Sequence, residues 1–176
     1  MNAHLRMPHS SLAQGLRLLV VDDDKLEIDL TSTVLGEALP DVCVEGVSDP
    51  TQAVAALRAN SFDCVLIDYN MPKLDGISLG GEIRAEFPYL PLVLMTGVGY
   101  DTLVADALRG GFTDYIPKDK ISHESAQRTI GRAIETVAQT RLIEEQRQEL
   151  EHFAYALAHD FKQPIRQIRV FADLLM

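Results

Sequence analysis

"FDCVLIDYNMPKLDGISLGGEIRAEF", residues 62–87, changes its hydrophobic period partway through. Phe62 to Ile67 is a nearly continuous apolar run, the pattern of a strand buried on both faces rather than one. Asp68 ends the run, and a loop bearing Pro72 and Gly76 follows. From about Gly76 to Phe87 the apolar residues recur at helical spacing. A doubly buried strand followed by an amphipathic helix is half of a βαβ unit, so the neighbouring strands should run parallel to it.

The same alternation continues on both sides. Towards the N-terminus stand "LRLLVV" (16–21), a helical stretch from about Lys25 to Leu39, "VCVEGV" (42–47) and "DPTQAVAALRAN" (49–60), the last with Asp49 as N-cap and Pro50 at the first helical position. Towards the C-terminus stand "PLVLMT" (91–96), a helix from about Asp101 to Leu108, "TDYIPK" (113–118) and a helix opening near Ser122. Strands alternating with helices in this way imply an α/β parallel sheet covered on both faces. Ligands of such sheets gather beyond the carboxyl ends of the strands.

Composition sets outer bounds. A chain of 176 residues with 47% hydrophobic content can build one core and carry an appendage. Its formal net charge of -10, with no dense Lys/Arg stretch, excludes a nucleic-acid surface and favours cations or basic protein surfaces as partners. Cys43 and Cys64 form no C-x-x-C pair and sit in apolar runs, so both are expected to be buried free thiols of a reducing compartment. Residues 1–15 lack the apolar core of a signal peptide and read as a disordered leader. No run reaches the roughly 18 apolar residues of a membrane span. The expected location is the cytoplasm, with no membrane contact.

The strand ends carry the chemistry. They read "VVDDD", "LIDYN", "LMTG" and "YIPK", which places Asp22, Asp23, Asp68, Thr96 and Lys118 along one edge of the sheet. Singly, each is an ordinary turn or surface residue. Together, the carboxylates repel one another unless a cation neutralises them. A hard divalent ion with oxygen ligands meets that need, and Mg²⁺ suits it best because it accepts one or two carboxylates and leaves room for phosphate oxygens. A carboxylate beside such an ion can attack a phosphoryl group, and Asp68, on the central strand, is the best nucleophile candidate.

The set "VVDDD", "LIDYNMPKLDG", "LMTG" and "DYIPK" resembles the receiver domain of two-component response regulators, over roughly Leu16 to Val137. The resemblance implies a flavodoxin-like, doubly wound five-stranded parallel sheet, with Asp68 as phosphoacceptor. It also implies Mg²⁺ binding by Asp23 directly, by Asp22 mainly through water, by Asp68 and by the backbone carbonyl of Asn70. Thr96 would hydrogen-bond the phosphoryl group, Lys118 would pair with it, and Tyr115 would be the aromatic switch that changes rotamer with the threonine. The altered surface would be the fourth helix, fifth strand and fifth helix. One departure is local: family members usually place proline after the lysine, whereas here Pro117 precedes Lys118 and Asp119 follows. Another is the glycine-rich "TGVGYD" after strand four.

Beyond Ser122 the helical pattern runs to the last residue, with Pro164 its only proline and Gly131 its only glycine. A periodic helix of this length suggests a coiled coil or a helical hairpin seeking a partner. Leu150, Phe153, Leu157, Phe161, Ile165, Ile168, Ala172 and Leu175 form one stripe, and His159 projects almost opposite it. An exposed imidazole is largely neutral at cytoplasmic pH and can act as a nucleophile. Asp160 can orient it, and Pro164, which cannot donate to the Asp160 carbonyl, should bend the helix there. "LEHFAYALAHDFKQPIRQIRVFADLL" resembles the phosphoacceptor box of histidine kinases, especially the phytochrome-like group. That resemblance implies that His159 is a second phosphoacceptor, on the first helix of a dimeric four-helix bundle.

The expected organisation is thus a leader (1–15), a receiver core (16–121), a fifth receiver helix continuing as a signalling helix (122–148) and a kinase phosphoacceptor helix (149–176). The last segment reads as truncated, as in a fragment of a longer hybrid kinase, and nothing within these 176 residues reads as an ATP-binding domain, so whether the chain is an enzyme stays open. The expected function is phosphorelay signal transduction, with a cognate histidine kinase or phosphotransfer protein as partner and a homodimer formed through the C-terminal helix. An alternative is a non-enzymatic dimeric adaptor whose tail only dimerises. A flavodoxin-type redox protein is disfavoured because "VVDDDK" would repel a cofactor phosphate. A dehalogenase-type phosphatase is disfavoured because Tyr69 and Asn70 follow Asp68 where a second Asp is expected.

Overall fold

The computed structural model describes residues 15–72, 74–97 and 101–174, with side chains for 15–72, 74–97 and 104–159. Most of the expected leader therefore lies outside the described residues, as do Val98, Gly99 and Tyr100 of the "TGVGYD" stretch. Five strands, β1 (Arg17–Val21), β2 (Cys43–Val47), β3 (Cys64–Asp68), β4 (Leu92–Thr96) and β5 (Asp114–Pro117), alternate with α1 (Lys25–Ala38), α2 (Ala53–Ala59), α3 (Gly76–Glu86), α4 (Asp101–Arg109) and α5 (His123–Leu174). All strand pairs are parallel, in the order β2-β1-β3-β4-β5. This is the doubly wound, flavodoxin-like sheet that the sequence implies.

The two-residue period of a strand divides the core into two layers. Leu18, Val20, Leu66, Val93 and Met95 face α1 and the start of α5, through Ile28, Leu35, Ala126, Ile130 and Ala133. Leu19, Val21, Val65, Ile67, Leu92 and Leu94 face α2, α3 and α4, through Leu57, Leu79, Ile83 and Ala107. Strands β1, β3 and β4 carry almost wholly buried runs because helices cover both faces. The edge strand β2 does not, and Cys43, at its start, is exposed while Cys64 is buried. The expectation of two buried thiols is corrected at Cys43: a strand paired on one side only leaves its first residue open to solvent.

Local signals place the ends of the elements. The side chain of Asp24 caps α1 by accepting from the Leu26 N–H at 2.8 Å. Asp75 caps α3 through the Ser78 N–H at 2.9 Å. Asp49 accepts from the Thr51 N–H as expected, yet it opens a 3-10 turn, Pro50–Gln52, before α2 begins. Ahead of α5, the Ser122 N–H donates to Ser125 Oγ at 2.8 Å, and the Ser125 N–H donates back to Ser122 Oγ at 3.3 Å.

The chain divides into two compact units, one ending at Ala138 and one from Gln139 onward. In the second unit α5 continues through Pro164 to Leu174. None of its described side chains, Gln139 to His159, is buried. Among the described residues, no helix is long and apolar enough to cross a membrane.

Candidate functional site

The sheet order reverses between β1 and β3, since the chain leaves β1 for β2 on one side and returns to β3 on the other. A crevice forms at the carboxyl ends of the strands flanking such a switch point. The register fills it. Val21 pairs with Ile67, so the next residues, Asp22 and Asp68, come side by side. Asp68 pairs with Met95, which brings Thr96 one step further along, and Thr96 pairs with Pro117, which brings Lys118 to the same edge. Asp22, Asp68 and Thr96 are buried, whereas Asp23 is exposed.

Lys118 ties the two buried carboxylates together. Its Nζ donates to Asp22 Oδ2 at 2.6 Å and lies 2.9 Å from Asp68 Oδ1. Backbone N–H groups hold the outer oxygens: Asp24 donates to Asp22 Oδ1 at 3.0 Å, and Asn70 donates to Asp68 Oδ2 at 3.1 Å. Burial pushes the Asp68 carboxyl above the usual carboxylate range; Lys118 opposes this and the Asp22 charge adds to it. Burial also works against the Lys118 charge, but the two aspartates outweigh it and hold the ammonium above its ordinary value. Lys118 is therefore firmly cationic. The Pro117-Lys118-Asp119 order does not shorten its reach: Pro117 ends β5 in extended backbone, Lys118 opens a 3-10 turn, Lys118–Lys120, and its Nζ still meets both aspartates.

Carboxylate oxygens of Asp22, Asp23 and Asp68 lie within 4.8 Å of one another. An all-oxygen set with two buried members and one exposed member has the chemistry of a hard divalent cation site with an open, wet side. The loop after Asp68 is kept close to it by Gly76, whose N–H donates to the Tyr69 carbonyl at 3.0 Å. A Cβ at Gly76 would stand 2.2 Å from the Asp68 carbonyl oxygen, so only glycine permits this return of the loop.

Tyr115 stands on β5, partly exposed. Beside it is a feature that sequence reading passed over. Asp114 is buried, and both Nε and Nη2 of Arg132 on α5 donate to its Oδ2, at 3.0 and 2.7 Å. This pair fastens the strand that carries Tyr115 to α5. The available signal was an acid at the head of a short strand, which calls for a cationic partner if it is buried.

The structure thus brings Asp22, Asp23, Asp68 and Lys118 into one cluster, with Thr96 and Asn70 at its edge. His159 belongs to the second unit, where it is exposed on α5. The side chain of Asp160 lies outside the described residues.

Comparison with known proteins agrees with this geometry. The chain is 35% identical over 108 residues to the response regulator protein FleR of Pseudomonas aeruginosa, a match covering 58% of this chain and 21% of that protein. It is 34% identical over 137 residues to a protein-glutamate methylesterase/protein-glutamine glutaminase of Rhodopseudomonas palustris, covering 73% of this chain and 37% of that one. The chain therefore spans well under half the length of these relatives. Among solved structures, the receiver domain of NtrX from Brucella abortus superposes with a TM-score of 0.61 at 30% identity, over 68% of this chain and 98% of that one. Residues 18–129 match the response regulator receiver domain family, and the chain belongs to it.

Proposed function

We propose that the chain is a phosphoacceptor module of a two-component relay, in which Asp68 receives a phosphoryl group from a histidine kinase or phosphotransfer protein. The observation that carries this reading is the Lys118 ammonium placed between Asp22 and Asp68, at 2.6 and 2.9 Å, on an edge lined by three carboxylates. An Asp68 oxygen forms the new bond to phosphorus while the P–N bond of the donor phosphohistidine breaks. The electron pair stays on the imidazole nitrogen. Lys118 supplies a fixed positive charge to the phosphoryl oxygens, and the Thr96 hydroxyl supplies a hydrogen bond. Asp22, Asp23, Asp68 and the Asn70 carbonyl would hold Mg²⁺, which when bound offsets negative charge on the transferring group. Tyr115 would respond to the new dianion as a switch between two preformed states.

For the tail we infer a histidine-kinase-type phosphoacceptor helix with His159 as acceptor, Asp160 as its orienting partner and segments 122–148 and 149–176 as the signalling and phosphoacceptor parts. The exposure of His159 on a long helix and the "FAY…HD…P" spacing support it. Intact mass after incubation with acetyl phosphate and Mg²⁺ should show one added phosphoryl group, abolished by Asp68→Asn. Persistence of the label in that variant would overturn the receiver assignment. Incubation with a kinase core and ATP should then label His159 as well; labelling of Asp68 alone favours the adaptor reading, in which the tail only dimerises.

A further inference from the structure

The two edges of the sheet are not alike. On β5 the Tyr115 N–H is taken by Asp114 Oδ1 at 2.9 Å, Asp114 is held by Arg132, and Pro117 has no N–H to offer. Strand β2 pairs with β1 alone among the described residues and holds no proline. The Cys43 N–H donates to the Leu16 carbonyl at 2.7 Å, and the direction of backbone N–H and C=O groups alternates along a strand, so those of Val44 and Gly46 point away from β1. An edge of this kind is a template for one more strand. We propose that residues 1–7 of this chain add to the open edge of β2 as a sixth strand, antiparallel to it, with residues 8–14 as the connection to β1.

Three observations name the occupant. The first is where the leader enters. Gly15 has φ +45, and a Cβ on it would stand 1.9 Å from the Asp41 carbonyl oxygen, so the chain reaches β1 by crossing close over the turn that opens β2. Residues 8–14 extend to about 23 Å, and the place beyond β2 lies two strand spacings, about 10 Å, from β1. A strand that feeds into this end of the sheet runs towards it, which makes it antiparallel to β2.

The second is pattern. "MNAHLRM" alternates Met1, Ala3, Leu5 and Met7 with Asn2, His4 and Arg6, the two-residue period of a strand with one covered face, and Pro8 ends it. A lone strand is not stable in water, and an open edge supplies the pairing it needs. The third is charge. Residues 1–15 hold no Asp or Glu in a chain that has 26 of them, whereas Asp41 precedes β2 and Glu45 lies on it.

The faces match as well. Val44 turns to the core layer that α1 covers and packs against it, while Cys43 and Glu45 turn to the other face, where Cys43 is exposed. The apolar leader residues therefore take the Val44 face, and Asn2, His4 and Arg6 take the Cys43 face. Because the Cys43 N–H is spent on β1, Cys43 meets the added strand at a non-hydrogen-bonded position, where facing Cα atoms lie about 4.5 Å apart and a disulfide can close.

The test uses the full chain and this natural thiol. Under copper–phenanthroline oxidation at low micromolar concentration, at least one of Asn2→Cys, His4→Cys and Arg6→Cys should form an intramolecular disulfide with Cys43 at least about tenfold faster than Ala3→Cys or Leu5→Cys, because cysteines whose Cβ vectors point apart are not bridged. Amide exchange gives a second readout. The Val44 and Gly46 N–H groups should exchange slowly in the parent and at least about tenfold faster in the Ala3→Pro, Leu5→Pro double variant, with the Leu66 N–H on β3 protected in both as the sign of an intact sheet. Cross-linking at equal rates on the two faces, or Val44 and Gly46 exchange that the prolines leave unchanged, would overturn the proposal.

Discussion

Asp68 folds against its own electrostatics. A carboxylate 4% exposed, with Asp22 beside it, is harder to keep charged in the folded chain than in the unfolded one, even with Lys118 at 2.9 Å. Its folded pKa is raised, so the folded state holds the proton more tightly than the unfolded state does. The contribution of this group to stability is therefore fully present below the unfolded pKa and is lost as pH rises through the folded one. At neutral pH the side chain strains the fold in the absence of a cation. Asp68→Asn keeps the shape and removes the charge, while Lys118 retains Asp22 at 2.6 Å. The variant should be more stable than the parent at pH 7 without metal, by on the order of 1 kcal/mol or about 2–4 °C in Tm. The gain should shrink as the pH is lowered through the range in which Asp68 takes up its proton. Mg²⁺ should raise the parent's Tm more than the variant's, because an ion that binds only the folded state stabilises by mass action. Differential scanning fluorimetry over a pH series, with and without Mg²⁺, checks all three; a variant less stable than the parent at pH 7 would show that Lys118 outweighs burial.

The elements were legible to the degree that their signals were local. Strands β1, β3 and β4 read as doubly buried because, apart from Arg17 at the head of β1, their runs hold no polar residue before the Asp or Thr at their carboxyl ends, and the register of such runs then fixes which ends meet. The site was legible for the same reason: Asp22, Asp68, Thr96 and Lys118 are each the last residue of a strand or the one just past it, so topology alone aligns them. Edge burial was not legible, since "VCVEGV" looks like its neighbours until the strand order leaves β2 with one open side. Nor was the joint between β5 and α5. Asp114 and Arg132 are 18 residues apart, and neither carries a local signal that names the other. Asp114 is buried and keeps the Tyr115 N–H at 2.9 Å, but loss of Arg132 would leave Oδ2 without its cation. Because the Arg132 side chain is itself 64% exposed, water would partly replace it. Arg132→Ala should therefore cost about 1–2 kcal/mol rather than the larger penalty of a fully buried pair. Urea denaturation followed by circular dichroism measures it, and Arg132→Lys should recover only part, since one ammonium cannot reproduce the guanidinium's two donors.

At the scale of the molecule, the long helix has two different jobs along its length. Its first turns complete a core layer: Ala126, Ile130 and Ala133 are each 1% exposed and pack with Leu18, Leu66 and Val93. From Gln139 onward no described side chain is buried, and the helix belongs to a separate compact unit. The stability of the first unit should then be independent of the second. A chain ending at Ala138 should unfold at the same Tm as the full chain, within about 2 °C, and accept phosphoryl from acetyl phosphate at the same rate. A chain ending at Ile121 should behave otherwise. It loses one buried Ile, worth about 1.5–3 kcal/mol, two buried Ala and the cation of Asp114, against a total domain stability of about 5–15 kcal/mol. Removing this helix also exposes the apolar surface of Leu18, Leu66 and Val93 beneath it, so the shorter chain should melt well below the longer one or fail to fold. Calorimetry on the three lengths decides the matter: a fall in Tm on cutting at Ala138 would mean that the tail supports the receiver, and a stable chain ending at Ile121 would mean that α5 is not part of its core.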